Sequence, residues 1–317
     1  MDILTYAFMQ RALIAAALVG ITAPAVGIYL VQRRQAIMGD GIGHVALTGV
    51  ALGVLLNTSP VWMAVLVATI GAVIMELVRS YGKTRGDIAL AMLFYGGMAG
   101  GVLIINLAPG GSTANLTSYL FGSITSVSPE DVTVTAILAA FVLVITLGLR
   151  RQLFAICQDE EFARVTGLPV RVLNLLLAVT AAVTVTVAMR AVGLLLVSAL
   201  LVVPVAAAQQ ATRGFAATLA ISVAIGVIVT LSGTAVSFYV DVPPGASIVL
   251  LAIAVFAVFS LVAAPLAKRR ARAVVRDEQG CTLEGPGRGY PQLERSGELG
   301  GVPAVRKPAD DVGVSAP

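Results

Sequence analysis

The sequence predicts an all-α fold, a polytopic helical bundle in a membrane, with about nine transmembrane helices and a short cytoplasmic helix. Three observations carry this. Hydrophobic residues make up 58% and charged residues 12% of the 317, where a soluble domain is about 25% charged; the mean hydropathy is +0.94. Apolar runs of roughly 20 residues, the length that crosses a bilayer core, recur along most of the chain. The cations between the runs crowd into alternate connections, as the positive-inside rule requires.

The runs fall at about 7–31, 43–57, 61–79, 87–107, 130–149, 172–189, 191–211, 215–236 and 246–266. The second is short and glycine-rich. The first lacks a small-residue cleavage site and reads as a span, not a signal peptide. Residues 112–127 are too polar to span and read as a short helix and loop at the membrane surface. Residues 1–266 therefore form the transmembrane domain. Residues 267–317, rich in Pro, Gly, Arg and Glu and without apolar periodicity, read as a disordered cytoplasmic tail.

Orientation follows from Lys and Arg. Arg33, Arg34, Arg79, Lys83, Arg85, Arg150, Arg151, Arg164, Arg171, Arg213 and the cluster at 268–272 lie on one side, and only Arg11 and Arg190 on the other. The first side is cytoplasmic, the N-terminus is outside and the C-terminus inside, which an odd number of spans satisfies. The positive charge is topological and implies no nucleic acid. Cys157 and Cys281, both placed in the cytoplasm, imply no disulfide and form no CxxC or Cys/His cluster.

The stretch Met38-Gly39-Asp40-Gly41-Ile42-Gly43-His44-Val45-Ala46-Leu47-Thr48-Gly49 holds the only histidine in the chain. Asp40, His44 and Thr48 share one helical face at i, i+4 spacing. Gly39 with Gly43, and Gly49 with Gly53, are small-xxx-small pairs that let helices approach closely in lipid. An ionisable residue within a span is costly and faces a cavity or pathway. A carboxylate and a neutral imidazole suit zinc, manganese or ferrous iron, so Asp40 and His44 are the candidate metal ligands. The plainer readings are a buried imidazole bonded to a carbonyl and an Asp40 that caps the second span.

Other acids read more simply. Glu76 pairs with Arg79 at i+3 as a snorkelling surface pair. Asp87 caps the fourth span, Glu130 and Asp131 cap the fifth, and Asp241, in a rigid outer turn before Pro243-Pro244-Gly245, either attracts cations, contacts a binding protein or is a structural turn residue. Gly96, Gly97, Gly100 and Gly101 form further helix-packing pairs.

In the longest cytoplasmic connection, 150–171, Asp159 can cap a short helix through Ala163–Val165. Glu160 and Glu161 then stand in its first turn, where the dipole favours acids. Gly167 stops it and Pro169 prevents continuation. Phe162 and Val165 are left to dock, unless the segment is a plain surface turn.

Four blocks in order resemble the metal-ion family of ABC importer permeases, which take up zinc, manganese or iron. They are MGDGIGHVALTGVALGVLL at 38–56, SYLFGSITSVSPEDV at 118–132, DEEFARVTGLPVRVLNLLL at 159–177 running into AMRAVGLLLVSALLVVPVAAA at 188–208, and FYVDVPPGASIVLL at 238–251. Thr48 departs from that family's common pattern. The resemblance implies a homodimer in a bacterial plasma membrane, a cytoplasmic ABC ATPase subunit and an extracytoplasmic metal-binding protein. It implies that Asp159, Glu160, Glu161, Phe162, Ala163, Arg164, Val165 and Gly167 belong to the segment that couples to the ATPase. It also implies a transported divalent ion, zinc first, with no permanently bound cofactor. No G-x-x-x-x-G-K-[ST] motif occurs, so ATP is hydrolysed on another chain. The alternatives are a manganese or iron importer, or an ion-coupled secondary transporter that has no use for the 159–170 segment. A membrane enzyme lacks support, because HExxH is absent.

Overall fold

The computed structural model describes residues 5–81, 86–107, 119–123, 128–212 and 214–262. Its elements are α1 (Ala7–Gln32), α2 (Met38–Leu55), α3 (Pro60–Tyr81), α4 (Gly86–Leu107), α5 (Pro129–Gly148), α6 (Arg150–Gln158), α7 (Glu160–Val165), α8 (Val170–Ala191), α9 (Leu194–Ala211) and α10 (Phe215–Val240), followed by α11 (Pro244–Val262). Among the described residues there is no strand. Eight helices are long and apolar enough to cross a membrane, and α9 holds a shorter apolar stretch, Leu196–Ala211. These are the nine runs of the sequence. Of the expected surface segment, residues 112–118 and 124–127 lie outside the described residues, and 119–121 form one helical turn. The tail and Cys281 also lie outside them.

Two helices differ from expectation. α2 begins at Met38 rather than near 43, which brings Asp40 inside it. Glycine-rich sequence has poor helix propensity, and packing overrides it here. α6 was expected as part of a connection; a single residue, Leu149, separates it from α5. Its apolar residues are too few to read as a span, yet Leu153 and Ile156 are buried. Phe154 lies 4.7 Å from Phe215 of α10, and Phe215 lies 5.5 Å from Tyr29 of α1, measured between ring centroids. Cys157 Sγ points at the Tyr29 carbonyl, 3.7 Å away. Burial pushes the Cys157 thiol up to about 11, against the opposing charge of Arg33, so it is an inert packing group and not a reactive thiolate.

Helix ends are closed by local bonds. At the start of α5, Ser128 Oγ accepts from the Asp131 N–H at 3.2 Å, and Asp131 Oδ2 accepts from the Ser128 N–H at 3.0 Å. The cap is therefore Ser128 in a reciprocal box with Asp131, not Glu130 and Asp131 alone. α1 ends with Arg34 in the left-handed region, φ 58. The Gln35 N–H reaches Leu30 O at 2.8 Å and the Arg34 N–H reaches Val31 O at 3.1 Å, a Schellman stop. α2 ends the same way at Asn57, φ 53, with Thr58 N–H on Gly53 O at 2.9 Å.

α1, α2 and α8 are the buried helices; α4 and α11 face mostly outward. α1 packs against α5, α8, α9 and α10, while α2 is enclosed by α3, α4, α8 and α9. α4 exposes Met92, Leu103 and Leu107, and α11 exposes Leu250 and Leu261. Apolar faces of this kind suit lipid, where backbone polar groups are satisfied within each helix.

The α2–α4 contact is backbone against backbone. A Cβ added at Gly97 would stand 2.7 Å from Val45 N and 2.8 Å from the His44 carbonyl carbon, whereas one at Gly96 would meet nothing within 4 Å. Gly97→Val should thus separate α2 from α4 at a cost of about 3 kcal/mol or more, since overpacking is met by backbone that cannot yield. The expected result is loss of monodisperse protein in detergent, with Gly96→Val unaffected. Equal melting temperatures for the two variants would contradict this packing.

Candidate functional site

α2 carries the site. Its N-cap is Ile37 and no side chain caps it, so Asp40 is in the first turn but is not the cap. The positive end of the helix favours an acid at that place. The glycines of α2 let α9 come close: a Cβ at Gly39 would stand 2.7 Å from Leu201 Cδ1, and one at Gly43 would collide with Leu194 Cδ1. Leu194, Ser198 and Leu201 share one face of α9 by their spacing. That approach brings Ser198 within reach of Asp40, and its hydroxyl donates to Asp40 Oδ1 at 3.2 Å.

One turn along α2, His44 is 4% exposed. The ring of Phe94 from α4 stands edge-on to it, with centroids 4.4 Å apart and planes at 73°. Its Nδ1 is buried without a hydrogen-bond partner, one of two such side-chain atoms among the described residues; the other is Gln32 Oε1. A buried polar atom left unpaired costs about 1–3 kcal/mol. Thr48, the third residue of the stripe, is committed elsewhere. Its Oγ lies 2.6 Å from Gly97 O on α4 and 3.4 Å from His44 O, so it fastens α2 to α4. Asp40, His44 and Thr48 thus stay on one stripe of α2, and the Thr48 hydroxyl is spent on α4. Among the described residues no three His, Cys, Asp or Glu side chains converge.

At the other end of the predicted site, α7 forms as the sequence indicates. Asp159 Oδ1 accepts from the N–H groups of Glu161 and Phe162, both at 2.9 Å. Gly167 has φ +83, and the bonds from Leu168 N–H to Ala163 O at 3.1 Å and Gly167 N–H to Arg164 O at 3.2 Å make a Schellman stop. A β-branched residue would be strained there. Ala163 is buried against the bundle. Phe162 and Val165 are 66% and 87% exposed, an apolar pair left uncovered by the described residues.

Two residues that the sequence reading treated as ordinary, Arg33 and Asn174, hold α7 in place through Glu160. The Arg33 guanidinium, from the C-cap of α1, donates to Glu160 Oε2 at 3.2 Å and to Asn174 Oδ1 of α8 at 2.7 Å. Asn174 Nδ2 donates to Glu160 Oε1 at 3.4 Å. Burial pulls the Arg33 guanidinium below its usual range and nearby Arg79 adds to this, while Cys157, Glu160 and Glu76 oppose it. Arg164 reaches Glu160 Oε1 at 3.6 Å from the exposed side.

The Glu76–Arg79 pair is present, with two bonds of 3.0 Å. Glu76 is buried, however, so the pair is not a surface one. It lies beside a crevice shared with Ser80, Arg171 and Leu175, between α3 and α8. Asp87 falls in the first turn of α4 and its side chain lies outside the described set. Asp241 closes α10 in the left-handed region, φ 55, as a turn residue. Neither Glu76 nor Asp241 joins Asp40 and His44 in a cluster. A lone serine in LLLVSALLVV and a lone amide in VLNLLL were the available signals for Ser198 and Asn174.

A family model described as the ABC 3 transport family matches residues 5–263. The chain belongs to the ABC 3 transport family. This agrees with the four blocks that resemble metal-ion ABC importer permeases. The manganese transport system membrane protein MntC of Halalkalibacterium halodurans is 34% identical over 256 residues, covering 81% of this chain and 87% of that one. The chelated iron transport system membrane protein YfeD of Yersinia pestis is 31% identical, covering 81% and 86%. Among solved structures, PsaBC from Streptococcus pneumoniae in complex with Fab superposes with a TM-score of 0.74 at 30% identity, covering 81% of this chain and 92% of that one. The permease is thus a multi-pass transport subunit of the bacterial plasma membrane and not an enzyme. For this permease, Ser198→Ala removes the one side-chain bond that the described residues make to the Asp40 carboxylate. The loss of about 1 kcal/mol should lower uptake at limiting substrate roughly fivefold with expression unchanged; parental uptake would take Ser198 out of the site.

Proposed function

We propose that this permease imports a divalent transition-metal ion along a path lined by Asp40 and His44, with manganese its first substrate and ferrous iron second. The observation that carries this is the buried His44, whose Nδ1 has no protein partner, on the same stripe as a carboxylate. A ring nitrogen left without a protein partner in a packed bundle is available to a metal ion. A carboxylate and an imidazole suit manganese, iron and zinc alike, so the order of ions rests on the two named relatives. The zinc preference expected from the sequence draws no support from the two named relatives, which are manganese and chelated-iron proteins.

One chain offers two ligands, and a homodimer would bring four together about its twofold axis. Sparse ligands suit transit, since a conducting site must also release its ion. An extracytoplasmic binding protein would deliver the ion. An ABC ATPase subunit would dock on Phe162 and Val165 of α7, and the orientation with the N-terminus outside puts α7 on its side of the membrane.

The test is uptake by the complete complex in proteoliposomes, for manganese, iron and zinc separately. His44→Ala and Asp40→Asn should each reduce manganese uptake at least tenfold while the ATPase remains bound, because each removes a ligand worth several kcal/mol. The parent should prefer manganese to iron and iron to zinc. Parental uptake in His44→Ala would refute the path, and a zinc-first order would refute the choice of ion.

A further inference from the structure

The Arg33 side chain is 7% exposed, although it belongs to a cation-rich connection whose charge topology alone would explain. Its two terminal nitrogens are taken by Glu160 of α7 and Asn174 of α8, and Asn174 closes the triangle onto Glu160. The triangle therefore joins the end of α1 to two elements more than a hundred residues further on, the first residue of α7 and the first half of α8. Arg33 is buried and Glu160 is 39% exposed, and each pair of the three side chains is bonded.

Between Arg33 and the site on α2 there is no slack. Arg34 turns the chain in the left-handed region. Gln35 N–H is bonded to Leu30 O at 2.8 Å, Met38 N–H to Gln35 O at 3.0 Å, and Gly41 N–H to Ile37 O at 3.2 Å. The connection is thus a series of bonded turns from the α1 cap into the first turn of α2, which carries Asp40. A displacement of Glu160 acts on Arg33 through a charge-assisted bond, and on Asp40 through a short stiff connection.

We propose that Arg33 is the positioning residue that carries movement of α7 to the Asp40–His44 helix, so that the ATPase-facing helix and the ion-path helix move as one. This rests on the reading of α7 as the docking helix. Coupling carried by a bonded network of this kind is typically altered by its mutation without loss of either end. Arg33 touches neither the ion nor the surface of α7 that faces outward, and its effect is on their linkage.

The experiment uses the complete complex in proteoliposomes, loaded with manganese, and reads ions imported per ATP hydrolysed. Arg33→Gln should leave the ATPase bound and hydrolysing near the parental rate, while ions per ATP fall roughly three- to thirtyfold. Glu160→Gln should lower the same ratio, and the double variant should be no worse than the poorer single, since both break one link. Multiplying effects in the double variant, an unchanged ratio, or a parallel loss of hydrolysis and uptake would overturn the proposal. If Arg33→Gln does not fold, Glu160→Gln with Asn174→Leu completes the same comparison. A lowered ratio in Arg33→Gln together with parental uptake in His44→Ala would sustain the link and reject the ion path; the reverse pattern would reject the link alone.

Discussion

How closely neighbouring helices approach α2 decides most of what this protein can do. In lipid there is no hydrophobic force between helices, and association depends on packing and interhelical bonds. α4 lies with its Gly97 on the backbone of Val45 and His44, and α9 lies with Leu194 and Leu201 over Gly43 and Gly39. From that approach come the Thr48 bond to Gly97, the Ser198 bond to Asp40 and the edge-on Phe94 ring against His44. Larger residues at the glycines would set the neighbours back and leave the acid and the imidazole without their surroundings.

The two polar centres are built on opposite rules. At the inner end, Arg33, Glu160 and Asn174 satisfy one another, and the result is a fixed joint. On α2, Asp40 has one side-chain donor and His44 Nδ1 has none. A joint that transmits force must be saturated, and a site that receives and releases an ion must not be. The start of α5 follows the first rule, since Ser128 and Asp131 cap each other.

Much of this was legible in the sequence, and the rest was hidden for physical reasons. Long apolar runs announce spans because bilayer thickness sets their length. Asp159 and Gly167 announced α7 because cap chemistry is local, as its geometry shows. His44 stood out by being alone. The start of the second span was set near 43 by its apolar run, although the spacing of Asp40 and His44 already read as one helical face, and α2 begins at Met38. α6 was hidden because nine residues of mixed polarity carry too little periodicity. Arg33 looked like any cytoplasmic arginine, and its burial depends on Glu160 and Asn174, more than a hundred residues away. Glu76 misled in the same way: its pairing with Arg79 is local and readable, but its burial is tertiary.

The central claim is that the ion touches His44, and the sequence offers a clean way to observe it. His44 is the only histidine of the chain, so a permease grown with ¹⁵N-histidine and reconstituted in nanodiscs without its partners reports on one imidazole alone. Manganese added to it should show a ¹⁵N hyperfine coupling by electron–nuclear double resonance, and His44→Gln should abolish that coupling. Bound manganese with oxygen and water couplings only, in the parent protein, would contradict the account.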